Sequence, residues 1–108
     1  MCNVYGEVPR QGEQWPFNLA EALHAQGLEV DQNIWRLRIL DCSHFKFEFG
    51  TDGALLVADE DTPEQMLRDA RLVSEALQRA GFRHRFEVYS DSLEIAYLHH
   101  DWPRPTTE

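Results

Sequence analysis

The chain is poor in positive charge. Ten Lys and Arg stand against nineteen Asp and Glu among 108 residues, giving a formal charge of −9, and Lys46 is its one lysine. Contacting a phosphate backbone requires a cationic surface that displaces counterions, so the composition argues against a nucleic-acid partner and favours a basic one. Thiols are equally scarce, with only Cys2 and Cys42, and no apolar run approaches the ~18 residues of a membrane span. With no leader-like segment ahead of Cys2, the expected setting is cytoplasmic and reduced, without membrane contact. Phosphate-cradling glycine motifs and a Gly-x-Ser-x-Gly elbow are absent as well, so the sequence calls for no cofactor.

What is present reads as one α+β domain over residues 1–108. A hydrophobic content of 43 % supports a packed core, and the length fits one module. The clearest element is a helix from Pro63 to Ala80. Thr62 is a good N-cap, Pro63 suits the first helical position, Gln65 has capping-box spacing, and Gly81 with Phe82 forms a Schellman-type stop. Met66, Leu67, Ala70, Val73, Leu77 and Ala80 make its apolar stripe, with Arg68, Asp69, Arg71, Glu75, Gln78 and Arg79 on the polar side. A shorter helix opens at Asn18, whose spacing to Glu21 is again that of a capping box, and stops at Gly27.

From Ile34 the period changes to two. Trp35, Leu37 and Ile39 should line the core face of one strand and Phe45, Phe47 and Phe49 that of the next. A three-residue turn, Asp41-Cys42-Ser43, keeps both sets on one face by placing Ile39 opposite Phe45. Asp52-Gly53 predicts a type I′ turn into Ala54–Ala58, which is apolar on both faces and so should be central in the sheet or covered on both sides. Two further strands, Arg83–Tyr89 and Leu93–His99, meet around Ser90-Asp91-Ser92. An Asp91-Ser92 loop would set His84 opposite His99. Residues 1–17 read as an irregular arm and 101–108 as a flexible tail. The expected fold is therefore a five-stranded, mainly antiparallel sheet with two helices, in the order α-β-β-β-α-β-β. That order resembles the sheet-and-helix arrangement of type III secretion chaperones, which are also acidic, although their final helix is missing here.

Four groups of residues invite a functional reading. Asp59, Glu60, Asp61 and Glu64 form an acidic run at the start of the long helix. It lacks the glycine and twelve-residue spacing of a Ca²⁺ loop, and suits either the helix dipole or a basic partner. Trp15 and Trp102 sit in irregular, Pro-flanked segments, where a large aromatic pins a terminus or receives a partner. Arg79, Arg83 and Arg85 make the one cationic cluster, an anion patch unless they pair with neighbouring acids. His84 and His99, with Cys42 as a third donor, are the candidate metal set, and Cys42 with His44 the candidate nucleophile and base.

Together these predict a small acidic protein-binding module without catalysis, analogous to immunity proteins, antitoxins or chaperones, that recognises a basic or amphipathic protein. The alternative is a metal-binding protein or small hydrolytic enzyme built on the strand histidines. A homodimer, through an exposed sheet edge or through the second face of the central strand, is a further expectation.

Overall fold

The long helix forms where its caps put it. In the computed structural model, which describes residues 2–42 and 44–104, α2 spans Pro63–Arg79 and Thr62 Oγ1 accepts the backbone N–H of Gln65 at 3.2 Å. At the far end Phe82 N–H donates to Leu77 O at 2.9 Å and Gly81 N–H to Gln78 O at 3.0 Å. That is the Schellman pattern, with Gly81 at a φ of +82°. Two details differ. Gln65 does not reach back to the cap but bonds Asp69, and Asp69 and Ser74, expected on the polar side or unassigned, are buried.

The five-stranded sheet and its element order are overturned. The described residues form a seven-stranded antiparallel sheet in the spatial order β2-β3-β4-β5-β1-β6-β7. Along the chain the elements are β1 (Cys2–Pro9), α1 (Phe17–Ala25), β2 (Val30–Gln32), β3 (Arg36–Ile39), β4 (Lys46–Phe49), β5 (Gly53–Glu60), α2, β6 (His84–Ser90) and β7 (Leu93–His100). The stretch read as an irregular arm thus opens with a strand, and that strand lies in the middle of the sheet. Its alternation is disguised by Gly6, which occupies an inward position between Val4 and Val8. A Cβ there would meet the Phe86 ring at 2.5 Å, so glycine makes room for an aromatic from the neighbouring strand. With β1 first and central, the likeness to secretion chaperones, which rested on element order, no longer holds.

Both helices pack on one face of the sheet. Val4, Val8, Ala54, Leu56, Ala58, Phe86 and Val88 from the central strands, with Leu37, Ile39 and Phe47, meet Leu19 and Leu23 of α1 and Met66, Ala70, Val73 and Leu77 of α2. Fully burying one large side chain of this kind is worth roughly 1.5–3 kcal/mol, which makes this layer the main source of stability. Among the described residues the opposite face carries no helix: β5 is central in the sheet, as one of its two expected placements had it, and is covered on one side. Leu55 and Val57 remain 45 % and 49 % exposed.

Several local expectations are corrected. Asn18 does not cap α1; Pro16 occupies that position, after a cis Trp15–Pro16 bond, and Asn18 Nδ2 donates to Gln11 O at 2.6 Å. Trp35 is not core but 71 % exposed, because β3 begins one residue later. Asn33 Oδ1 accepts from Trp35 N–H and Arg36 N–H at 2.7 and 3.0 Å, fixing a β2–β3 turn whose tip projects beyond the helices. The β4–β5 turn closes with Gly50 N–H on Gly53 O, so Thr51-Asp52 rather than Asp52-Gly53 are its central residues. Gly53 is required for another reason: a Cβ would lie 2.3 Å from Val8 O.

The expected Leu37–Phe47 pairing is present, and Ile39 N–H donates to Phe45 O at 3.1 Å; Ser43, within that loop, lies outside the described residues. The Asp91-Ser92 loop also forms, with both φ angles positive. A bulge between Val88 and Tyr89 then shifts the register, so His84 faces His100 and not His99. The tail turns back at Asp101, and its last residues, 105–108, lie outside the described residues. No helix among the described residues is long and apolar enough to cross a membrane.

Candidate functional site

β5 carries the candidate site from end to end. It is central in the sheet, so its even residues enter the core and its odd ones stand on the open face: Leu55, Val57 and Asp59 in a row. Tyr5 of β1, 41 % exposed, lies directly opposite Val57, and Glu7 opposite Leu55. On the other flank Lys46 pairs with Val57 and Glu48 with Leu55. An apolar strip of three side chains is therefore edged by alternating charges, and its far end runs into acid.

At that end β5 hands over to α2. A cavity of about 410 Å³ is lined by His44, Asp59, Glu60, Asp61, Thr62 and Gln65, bringing three of the four acidic residues singled out from the sequence to one wall. Glu64, on the first turn of α2, lines a neighbouring groove with Asp41, Arg68 and Asp69. Behind the cavity, Asp69 is 5 % exposed. It accepts from Gln65 Nε2 at 3.1 Å and lies 3.6 Å from Arg68 Nε. Burial, reinforced by the Asp69 carboxylate, pushes the Glu60 carboxyl up to about 7. Burial, with Asp69, Asp41 and Glu60 nearby, pushes the Cys42 thiol up to about 12. A shift in that direction disfavours the thiolate that the Cys42–His44 reading requires.

The metal set is dispersed. His84 is fully buried, its Nε2 2.7 Å from Ser74 Oγ and its Nδ1 2.9 Å from Phe82 O. Donation from Nδ1–H to the carbonyl leaves Nε2 to accept the Ser74 hydroxyl, so the neutral ring clamps α2 to β6, and burial lowers its pKa. His99 pairs with Arg85 on the open face, one residue from His100 on the covered face. Cys42 sits in the β3–β4 loop, across the sheet and at its opposite end. Among the described residues no group of three or more His, Cys, Asp or Glu is placed to hold a metal ion.

The remaining candidates have partners within the chain. Trp15 is 9 % exposed and edge-on to Phe49, with centroids 6.1 Å apart. Trp102 is half-buried on the open face, where Arg83 and Arg85 stack 4.2 and 4.6 Å from its ring centroid. Arg83 Nε donates to Asp101 O, Tyr97 Oη to Trp102 O, and Arg85 Nη2 to Glu7 Oε1 at 2.6 Å. Arg79 instead donates to Gln26 Oε1 of the α1 C-terminal turn. Sequence reasoning raised the second face of the central strand only as a self-association surface, without naming Leu55 or Val57, and missed Tyr5, Ile34 and Trp35 as surface residues. The signal that could have found the first two is the apolar run of β5 itself, since a one-layer sheet must leave half of it bare.

These features define an α+β protein with an open-faced antiparallel sheet, its surface site running along the central strand. Compared with protein-family models, with curated proteins and with solved structures, the chain matches none.

Proposed function

We propose that this chain is a small, acidic, cytoplasmic protein-binding module, without catalysis, that takes a basic or amphipathic protein segment along the open face of β5. The observation that carries the reading is the row Leu55–Val57–Asp59, with Tyr5 beside it, leading from a bare apolar strip into the acidic corner of Asp59, Glu60, Asp61 and Glu64. A segment with large apolar side chains at one end and Lys or Arg at the other matches that order of chemistry. The apolar strip would supply most of the affinity, while the acidic corner steers the partner and fixes its direction.

The test uses a double variant, Leu55→Glu with Val57→Glu. Both side chains are half-exposed, so its thermal melting should stay close to that of the parent. Immobilised parent protein should retain a basic partner at low salt and release it at high salt, and the double variant should bind that partner at least about 30-fold more weakly. If the parent retains nothing, or both proteins retain the same partner equally, the reading fails. Sedimentation distinguishes a second copy as occupant: a dimer that dissociates in the double variant would mean that the strip is a self-association surface.

A further inference from the structure

The sheet is open, and its two edges are unequal. One edge is β2, three residues long; the other is β7, which runs for eight and, among the described residues, pairs only with β6. β7 contains neither proline nor lysine, the residues that commonly blunt an edge strand, and its first turn of chain stands bare, with Leu93 71 % and Ile95 40 % exposed. After His100 the chain does not wrap this edge. It turns at Asp101 and lies back over the open face, Trp102 against Arg83 and Arg85, Arg104 against Glu94 and the Tyr97 ring.

β7 is also complementary to itself. The bulge takes Ile95 out of the ladder and leaves seven pairing positions, of which Tyr97 is the middle one. An antiparallel copy, related by a twofold axis at Tyr97, therefore meets the strand along its whole length: Leu93 against His100, Glu94 against His99, Ala96 against Leu98. Directly opposed residues must share a face, and these do. Glu94 and His99 lie across from Tyr89 and Arg85 of β6 on the open face, and Ala96 and Leu98 across from Val88 and Phe86 on the covered one. The pairing sets a carboxylate against an imidazole twice, once on each side of the axis.

We propose that β7 is a self-pairing edge: two copies of this chain join antiparallel through it, centred on Tyr97, into one continuous sheet with the helices of both copies on the same side. The bonds come from backbone N–H and C=O groups that the edge leaves unpaired, and Leu55, Val57 and the acidic corner stay uncovered. The pairing thus holds with or without a partner on the open face.

Sedimentation equilibrium of the full chain, loaded from about 5 to about 500 µM in ~0.15 M salt, should show monomer and dimer in exchange. His99→Glu opposes like charges twice and should weaken the dimer at least about tenfold, while His99→Glu combined with Glu94→Lys reverses the pair and should restore it to within about threefold of the parent. Neither residue belongs to the core. A second arm needs no variant: backbone hydrogen exchange, followed by NMR at both ends of that concentration range, should slow at the outward amides of β7 at high concentration and stay unchanged in β2. A monomer throughout overturns the proposal, as does a dimer indifferent to His99→Glu or one that protects β2 instead. A dimer lost in the Leu55→Glu, Val57→Glu variant belongs to the open face and overturns it as well.

Discussion

Glu60 and His84 titrate in opposite senses, and their difference should be visible in the stability of the whole protein. Glu60 has a folded pKa raised from 4.5 to about 7, so the folded state binds the extra proton first. Stability is gained as pH falls through 7 and the gain is complete near 4.5. Discounted for its partial exposure, the contribution is on the order of 1–3 kcal/mol. His84 has a folded pKa lowered below 6.5, so the unfolded state takes the proton first and stability is lost as pH falls through 6.5. Urea midpoints of the parent should therefore climb from pH 8.5 to about 6.5 and then level off as the two effects cancel. In Glu60→Gln the same curve should be flat above 6.5 and fall below it.

Trp35 and Trp15 offer a second residue-scale contrast. Trp35, expected on the core face of its strand, stands 71 % exposed, while Trp15, expected to pin a terminus or receive a partner, is 9 % exposed. Trp35→Ala should therefore change stability by no more than about 0.5 kcal/mol. Trp15→Ala should cost about 3–5 kcal/mol in the same denaturation experiment. Strand alternation assigned Trp35 to the core face, but β3 begins at Arg36, so Trp35 lies in the turn ahead of the strand.

At the scale of elements, legibility followed how local the cause was. α2 could be bounded from the sequence because Thr62, Pro63, Gly81 and Phe82 act within a turn of where they stand. Thr62→Ala should accordingly cost about 1 kcal/mol, read from thermal melting, through loss of its bond to Gln65 N–H. β1 was not legible because its cause is distant. Gly6 interrupts the inward row, and only the Phe86 ring, eighty residues away in sequence, explains it. Gly6→Ala should destabilise the protein by roughly 1–3 kcal/mol by displacing that ring, a loss measurable by urea denaturation. The register of β6 with β7 belongs to the same class. Turn chemistry left Ser90-Asp91 and Asp91-Ser92 both open as the loop, and the bulge that separates His84 from His99 leaves no mark in the residues flanking it.

On the scale of the whole molecule, what matters is that a seven-stranded sheet receives only two helices, both on one side. Among the described residues the second face carries no helix, and Leu55 and Val57 are left beside charged neighbours. Acidity then distributes itself unevenly over that face, because Arg85 and Arg83 are held by Glu7 and Trp102 while the corner at Asp59–Glu64 has few cations nearby. The half-buried Arg85–Glu7 pair adds about 1 kcal/mol and fixes the flank of the strip more than it stabilises the fold.

By itself the sequence determined the charge balance, the α+β class, the long helix with both its stops, and the parity of the β3–β4 hairpin. Each of these depends on composition or on residues within a few positions of one another. Tertiary structure alone decided that β1 is central, that Leu55 and Val57 are bare, and that the histidines and Cys42 never meet. Those outcomes turn on which segments become neighbours across the sheet, and that choice is made by the packing of the whole chain.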